Sequence, residues 1–217
     1  MPATPPHVRP VRRRRNPAAT REAILDAAER LFAAKGYEGT SLGEIGRAAR
    51  VSRGTPGYFY GSKERLYRAV LERALTAARE VLTQARARAA TAGGAPEALL
   101  REAIGSYLAF LAARPTFVRL IEWETLSGAR FLGASPAHIG GLREALAVTQ
   151  EELARGALRS VDPAHLLLSV MGLCWFPFAH ADSLTRSLKL DPRTPAFLAA
   201  RRAHIVDLLL YGLLPRS

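Results

Sequence analysis

The sequence predicts an all-α protein of about nine helices, and three observations carry that reading. Apolar residues recur at three- and four-residue steps along most of the chain, the spacing that lines one face of a helix. No segment sustains the two-residue alternation of a half-buried strand. Prolines and glycines punctuate the runs, and several prolines follow a short polar residue, the order of an N-cap and a first helical position. A length of 217 residues gives one large domain or two small ones, and an apolar content of 48% supplies a sizeable core.

Residues 1–16 are expected to form a disordered basic arm. Pro2, Pro5, Pro6 and Pro10 exclude regular structure, and five of the seven residues from Arg9 to Arg15 are arginine. Such an arm follows a phosphate backbone or enters a minor groove, or else is an idle terminus. Ile24, Ala27, Ala28, Leu31 and Ala34 mark a first amphipathic helix that Gly36 ends. Ser41-Leu42-Gly43-Glu44 fits a capping box and starts a second helix through Leu42, Ile45 and Ala49. Val51 is expected as a buried turn residue and Ser52 as the N-cap of a short third helix. Gly61 breaks the chain again, and Ser62 caps a long fourth helix whose apolar stripe is Leu66, Val70, Leu71, Ala74, Ala78 and Leu82.

Residues 91–96 form a loop, after which Pro115, Pro136, Pro163 and Pro195 divide the remainder. Ser135, Asp162 and Thr194 each precede one of these prolines and read as N-caps. The stretch from Asp162 to His180 is apolar almost all round, so it must be buried on several sides, and Pro177 is expected to kink it. Phe197, Ile205, Val206, Leu208, Leu209, Leu213 and Leu214 form a second strongly apolar helix.

The charge is uneven. Residues 1–63 hold 12 Lys/Arg against 5 Asp/Glu, a net of +7, whereas residues 64–217 hold 19 against 14. Either a polyanion meets the N-terminal part, or its basic surface serves solubility. Cys174, the single cysteine, excludes an internal disulfide and a cysteine-rich metal site, and reads as a small buried hydrophobe. His180 and Asp182 are two groups, too few for a metal. No nucleophile–base arrangement and no glycine-rich phosphate loop appears, so neither catalytic residues nor a cofactor are expected. No apolar run reaches the roughly 20 residues of a membrane span, and the N-terminus lacks a signal-peptide core. A cytoplasmic protein without a membrane partner is expected.

Residues 41–60 have the spacing of a helix, a tight turn and a second helix, the arrangement that sets a recognition helix into the major groove of DNA. Ser41, Ser52 and Thr55 supply short hydroxyls. Arg53 reaches guanine O6 and N7 in bidentate fashion, and Gly54 permits close approach of the backbone.

The run from Thr20 to Thr40, TREAILDAAERLFAAKGYEGT, resembles the first helix and turn of the TetR (tetracycline-repressor-like) family of transcriptional regulators. The run from Val51 to Lys63, VSRGTPGYFYGSK, resembles that family's recognition helix and its closing Ser-Lys. The resemblance implies a ligand-responsive regulator, most simply a repressor. It would bind a palindromic double-stranded operator as a homodimer and leave it when a small, partly apolar effector binds. It divides the chain into the arm at 1–16, a DNA-binding domain at 17–63 and a ligand-binding and dimerisation domain at 64–217.

By position, the resemblance makes Ser41 a phosphate-contacting hydroxyl and Arg53, Gly54 and Thr55 the base-facing start of the recognition helix. It sets Tyr58 on the sugar-phosphate and Lys63 on a phosphate. Pro56 stands where the family usually has an apolar residue, Gly57 where it usually has Tyr, and Arg50 replaces the usual turn glycine, which suggests a different turn. The helices at 163–188 and 195–213 are implied to pair with their symmetry mates in a four-helix bundle. Trp123, Trp175, Phe178 and Met171, with Phe131 and Phe176, are the candidates for the effector pocket. Glu122 and Glu124 flank Trp123. Either one faces inward to recognise a donor-rich ligand, or they are solvated or paired with an arginine such as Arg119. The alternatives are a helical enzyme or metabolite-binding protein without sequence-specific DNA readout, and a nonspecific nucleic-acid binder.

Overall fold

The computed structural model describes residues 16–93, 95–155 and 159–213. Among them are nine α-helices and no strand: α1 Pro17–Lys35, α2 Leu42–Ala48, α3 Thr55–Tyr60, α4 Lys63–Thr91, α5 Pro96–Ala113, α6 Pro115–Leu126, α7 Pro136–Ala154, α8 Pro163–Ala179 and α9 Pro195–Leu213. A 3-10 turn at Leu132–Ala134 precedes α7, and a π turn at Ala181–Thr185 follows α8. The arm expected over 1–16 lies outside the described residues except for Asn16. That residue is structured, its side chain accepting the Ala18 N–H at 3.0 Å as the N-cap of α1.

Local chemistry fixes the small N-terminal helices. Ser41 Oγ accepts the Glu44 N–H and the Glu44 carboxylate accepts the Ser41 N–H, so the reciprocal cap of α2 is complete. At its other end the Val51 N–H reaches Gly46 O at 2.9 Å and the Arg50 N–H reaches Arg47 O at 3.1 Å. This is a Schellman closure, whose penultimate residue must be left-handed. Arg50 is that residue, with φ 55°. The different turn expected from the missing glycine does not form. The arginine adopts the glycine conformation instead, at a strain of about 1 kcal/mol. Val51 is half-buried rather than buried.

The third helix starts later than expected. Ser52 is not its N-cap; Arg53 and Gly54 form a turn, Gly54 occupies the cap position, and α3 runs from Thr55. Pro56 explains the shift. It has no N–H to close a bond onto Ser52 O, so the α-helical ladder cannot begin at Ser52. Ser52 O takes the Thr55 N–H at 3.0 Å in a tighter turn instead, and the first α-type bond runs from the Tyr58 N–H to Gly54 O at 3.0 Å.

Helix α4, about 43 Å long at 1.5 Å per residue, links the two halves of the molecule. Near its start Leu66, Tyr67, Val70 and Leu71 are buried against Ile24, Ala28, Phe32 and Ile45. Arg73 then ties α4 to α1 through Glu22 (3.4 Å), Asp26 (2.7 Å) and Glu29 (2.5 Å). Farther along, α4 runs parallel to α7. Glu72 receives the Ser135 hydroxyl and the Ala137 N–H, Arg79 pairs with Glu144 and Arg86 with Glu151, so from Ala137 onward matched seven-residue steps meet on both helices. Ile104, Leu108, Leu111, Leu120, Cys174 and Ile205 continue the same core into the C-terminal part. Burial pushes the Cys174 thiol up to about 12, consistent with an inert packing residue.

The stretch expected as one helix over 163–188 is interrupted. Pro177 cannot donate to Leu173 O, and the side chain of Arg201 on α9 takes that carbonyl at 2.8 Å. Two residues later α8 ends and the π turn begins, held by the Thr185 hydroxyl on Pro177 O at 3.0 Å. Among the described residues no single helix is long and apolar enough to cross a membrane.

Candidate nucleic-acid interface and small-molecule cavity

Helices α2 and α3 meet at Gly46. A Cβ there would come within 2.9 Å of Ser52 O, so the absent side chain is what lets the turn fold against α2. Behind them, the Tyr60 hydroxyl donates to Arg21 O at 3.1 Å and the Arg21 guanidinium lies 4.6 Å from the Tyr60 ring centroid, fixing α3 to α1. Tyr60 is therefore a core residue. The outward face carries Ser52, Arg53, Gly54 and Tyr58, all exposed, with Thr55 half-buried. Tyr58 is 86% exposed and meets Phe59 edge to face. Ser52 and Thr55 share a hydroxyl–hydroxyl bond of 2.7 Å. A Cβ on Gly57 would meet only Leu42 Cδ1, at 3.9 Å, so nothing fills the place of the missing aromatic.

The other two residues expected at DNA are engaged within the chain. Ser41 Oγ donates to Glu44 at 2.9 Å while capping α2. Lys35 binds the same carboxylate at 2.8 Å, and these partners hold the Glu44 carboxyl down at about 2. Lys63 donates to Tyr37 O at 3.0 Å and sits 4.2 Å from the Tyr37 ring centroid. Its ammonium also lies 3.9 Å from the exposed Glu38 carboxylate, and an ammonium has three donors, so these two partners do not exhaust it.

A cavity of about 510 Å³ lies between α4, α5, α6, α7 and α8. Its wall is mainly apolar, with Leu75, Leu100, Phe117, Ile121, Met171 and Trp175 among the larger side chains. Ala137, Gly141 and Ala145, four residues apart on α7, all face it, and these small residues make the space. Two of the expected pocket residues, Met171 and Trp175, are in the wall. Phe178 is buried beside a separate cleft of about 290 Å³ with Arg119 and Glu122. Sequence reasoning missed the walls from α4, α5 and α7. The four-residue spacing of small side chains on α7 was the available signal.

Trp123 lies away from the cavity. Its indole N–H donates to Ala33 O at 3.1 Å and its ring covers Gly36, 3.0 Å from where a Cβ would stand. It joins α6 to the end of α1. Next to it Glu124, 2% exposed, accepts the Tyr67 hydroxyl at 2.8 Å and the Phe131 and Leu132 N–H groups at 2.9 and 2.8 Å. Neither a ligand nor an arginine is its partner. Burial, and then the bond to Glu124, raises the Tyr67 hydroxyl well above its usual value. Phe131 packs against Tyr37 and Tyr67 rather than lining the cavity, and Phe176 is half-exposed. Among the described residues no group of three side chains could hold a metal ion.

Comparison with known proteins places this arrangement. Residues 24–70 match the model described as bacterial regulatory proteins of the tetR family, and residues 96–209 match that of the tetracyclin repressor-like C-terminal domain. The chain is 32% identical over 210 residues to the HTH-type transcriptional regulator RutR of Escherichia coli K12, covering 94% of this chain and 95% of that one. It is 28% identical over 202 residues to the HTH-type transcriptional repressor NicS of Pseudomonas putida, covering 89% and 92%. The fold matches that of the TetR family transcriptional regulator PfmR from Thermus thermophilus with a TM-score of 0.65 at 23% identity, over 89% of this chain and 99% of that one.

Proposed function

The chain belongs to the TetR family of bacterial regulators, which bind operator DNA as dimers and answer to small molecules, and on that premise we propose a repressor that a largely apolar effector in the α4–α8 cavity releases from a palindromic operator. It is a DNA-binding transcriptional regulator and not an enzyme. The observation that carries the proposal is α4: its first turn follows α3 directly and is tied to the head through Lys63 on Tyr37 O, and Leu75 to Leu82 of the same helix form one wall of the cavity. An effector that fits only one position of α4 shifts the head, by no more than its differential affinity for the two states.

In this reading Arg53, Gly54 and Thr55 face bases, Ser52 and Tyr58 meet the backbone, and Lys63 and Ser41 reach phosphates after sharing their present partners. Residues 17–63 act as the DNA-binding domain and 64–217 as the effector and dimer domain. The dimer forms through α8 and α9. Leu168, Phe176, Leu208 and Tyr211 stand 65%, 49%, 50% and 86% exposed on these two helices, an apolar surface that a second copy covers. The experiment is light scattering together with footprinting on a selected operator. A dimer protecting an inverted repeat with half-sites about 34 Å apart is expected, and Leu208→Glu should abolish both dimer and protection. A wild-type monomer at micromolar concentration, or one asymmetric half-site, overturns the reading.

A further inference from the structure

Apart from small size and low polarity, the cavity wall carries information about the head group of its ligand. The residues of α7 that face the cavity run from Ala137 to Leu153, about 24 Å at 1.5 Å per residue. A volume near 510 Å³ spread over that length suits a chain better than a broad ring system.

The polar side chains of the wall are few, and most are committed. The Arg79 guanidinium is paired with Glu144, and the Thr149 hydroxyl donates to Ala145 O at 2.8 Å. Burial lowers the pKa of His138, which favours the uncharged ring. Arg79 is half-exposed and its charge is already met by Glu144, so a ligand carboxylate finds no buried cation among the described residues of this wall. Glu152 differs. It lies in the last turn of α7, 8% exposed, and Oε2 accepts from Arg155 at 2.9 Å while Oε1 has no hydrogen-bond partner among the described residues. Arg155 itself is half-exposed, so it can yield its place to a ligand donor at small cost.

We propose that the effector is an elongated apolar amine, its chain lying along α7 and its ammonium held by the Glu152 carboxylate. This rests on the reading of the cavity as the effector site. The selectivity follows from desolvation: a buried cation needs a buried anion to receive it, and a carboxylate brought beside Glu152 would leave two like charges together.

Trp175 lines the cavity and serves as reporter in a Trp123→Phe chain, which has no other indole. The probes are dodecylamine, dodecanol and dodecanoate, each titrated below its micellar concentration. The amine should shift Trp175 emission at about ten-fold lower concentration than the alcohol, the advantage of a charge-assisted bond, with dodecanoate the weakest. Glu152→Gln should bring the amine to the level of the alcohol and leave the alcohol unchanged. Dodecanoate binding as tightly as the amine in the Glu152 protein overturns the head-group assignment, whatever the variant does. An amine unaffected by Glu152→Gln overturns it too. No emission change with any of the three removes the cavity reading itself.

Discussion

Helices α1 to α3 and the start of α4 close over a filled core, whereas α4, α5, α7 and α8 close over a void. Both regions use small residues at the contact, with opposite results. In the head, Gly46 lets the backbone of Ser52 approach α2 until no side chain fits between them. In the body, Ala137, Gly141 and Ala145 line the cavity together with Leu75, Leu100, Phe117 and Trp175, and a Cβ on Gly141 would meet only the stem of Arg79, at 3.9 Å. A small side chain draws two helices together where nothing larger stands beside it, and leaves a cavity where large neighbours act as props. The head packs its helices without space between them, and the body keeps a cavity of about 510 Å³.

The largest test strikes the joint between the two regions. Glu124→Ala would leave the Tyr67 hydroxyl and two backbone N–H groups buried without an acceptor, and should cost about 3–5 kcal/mol in urea unfolding. A loss under about 1 kcal/mol would mean that Glu124 adds little to the joint, which then rests on apolar packing and on the bonds from Trp123 and Thr116 to α1. Next, Arg53→Ala should weaken operator binding by about 1–3 kcal/mol and relax one base position, while Lys63→Ala weakens all sequences alike and lowers the salt slope by about one unit. Both should leave probe binding in the cavity untouched, and an effect there would dissolve the division between the regions. A matched pair then sharpens the contrast. Gly46→Ala should destabilise by about 1–3 kcal/mol through overpacking, whereas Ala145→Leu should stabilise by about 1 kcal/mol through cavity filling and eliminate probe binding. If both substitutions destabilise equally, the cavity is not a true void.

The smallest effect concerns acid. The Glu44 carboxyl sits at about 2 in the folded chain against a usual value of 4.5. Folding lowers it, so its contribution is present above pH 4.5 and is lost as the pH falls through the folded value. Fraying of α2 in amide exchange should begin below pH 4.5, and a Glu44→Gln chain should lack that dependence.

The head was legible because its signals are local. A capping box, a helix-ending glycine and a Ser before a Lys act within a few residues, so Ser41, Gly36 and Ser62 are where the sequence predicts them. At the start of α3 that reading failed because one proline intervened: Pro56 moved the start by removing a single donor. The body was legible only as apolar helices. Whether an aromatic side chain faces a cavity or a neighbour depends on which helices meet, and that is set by distant pairings such as Arg79–Glu144 and Trp123–Ala33. Trp123 and Trp175 look alike in the sequence; one binds α6 to α1 and the other lines the cavity.

The bond between Arg201 and Leu173 O has a consequence for how the chain is made. The proline in α8 leaves a carbonyl that its own helix cannot satisfy, and the donor arrives from α9, 28 residues later. During synthesis the ribosome delivers that donor only after all of α8 has been made. Until then α8 carries an unmet acceptor and an uncovered apolar flank, so a nascent chain can finish its head while its body waits. A chain released before α9 would carry a complete head on an unfinished body. The arginine makes completion of α8 depend on the arrival of α9.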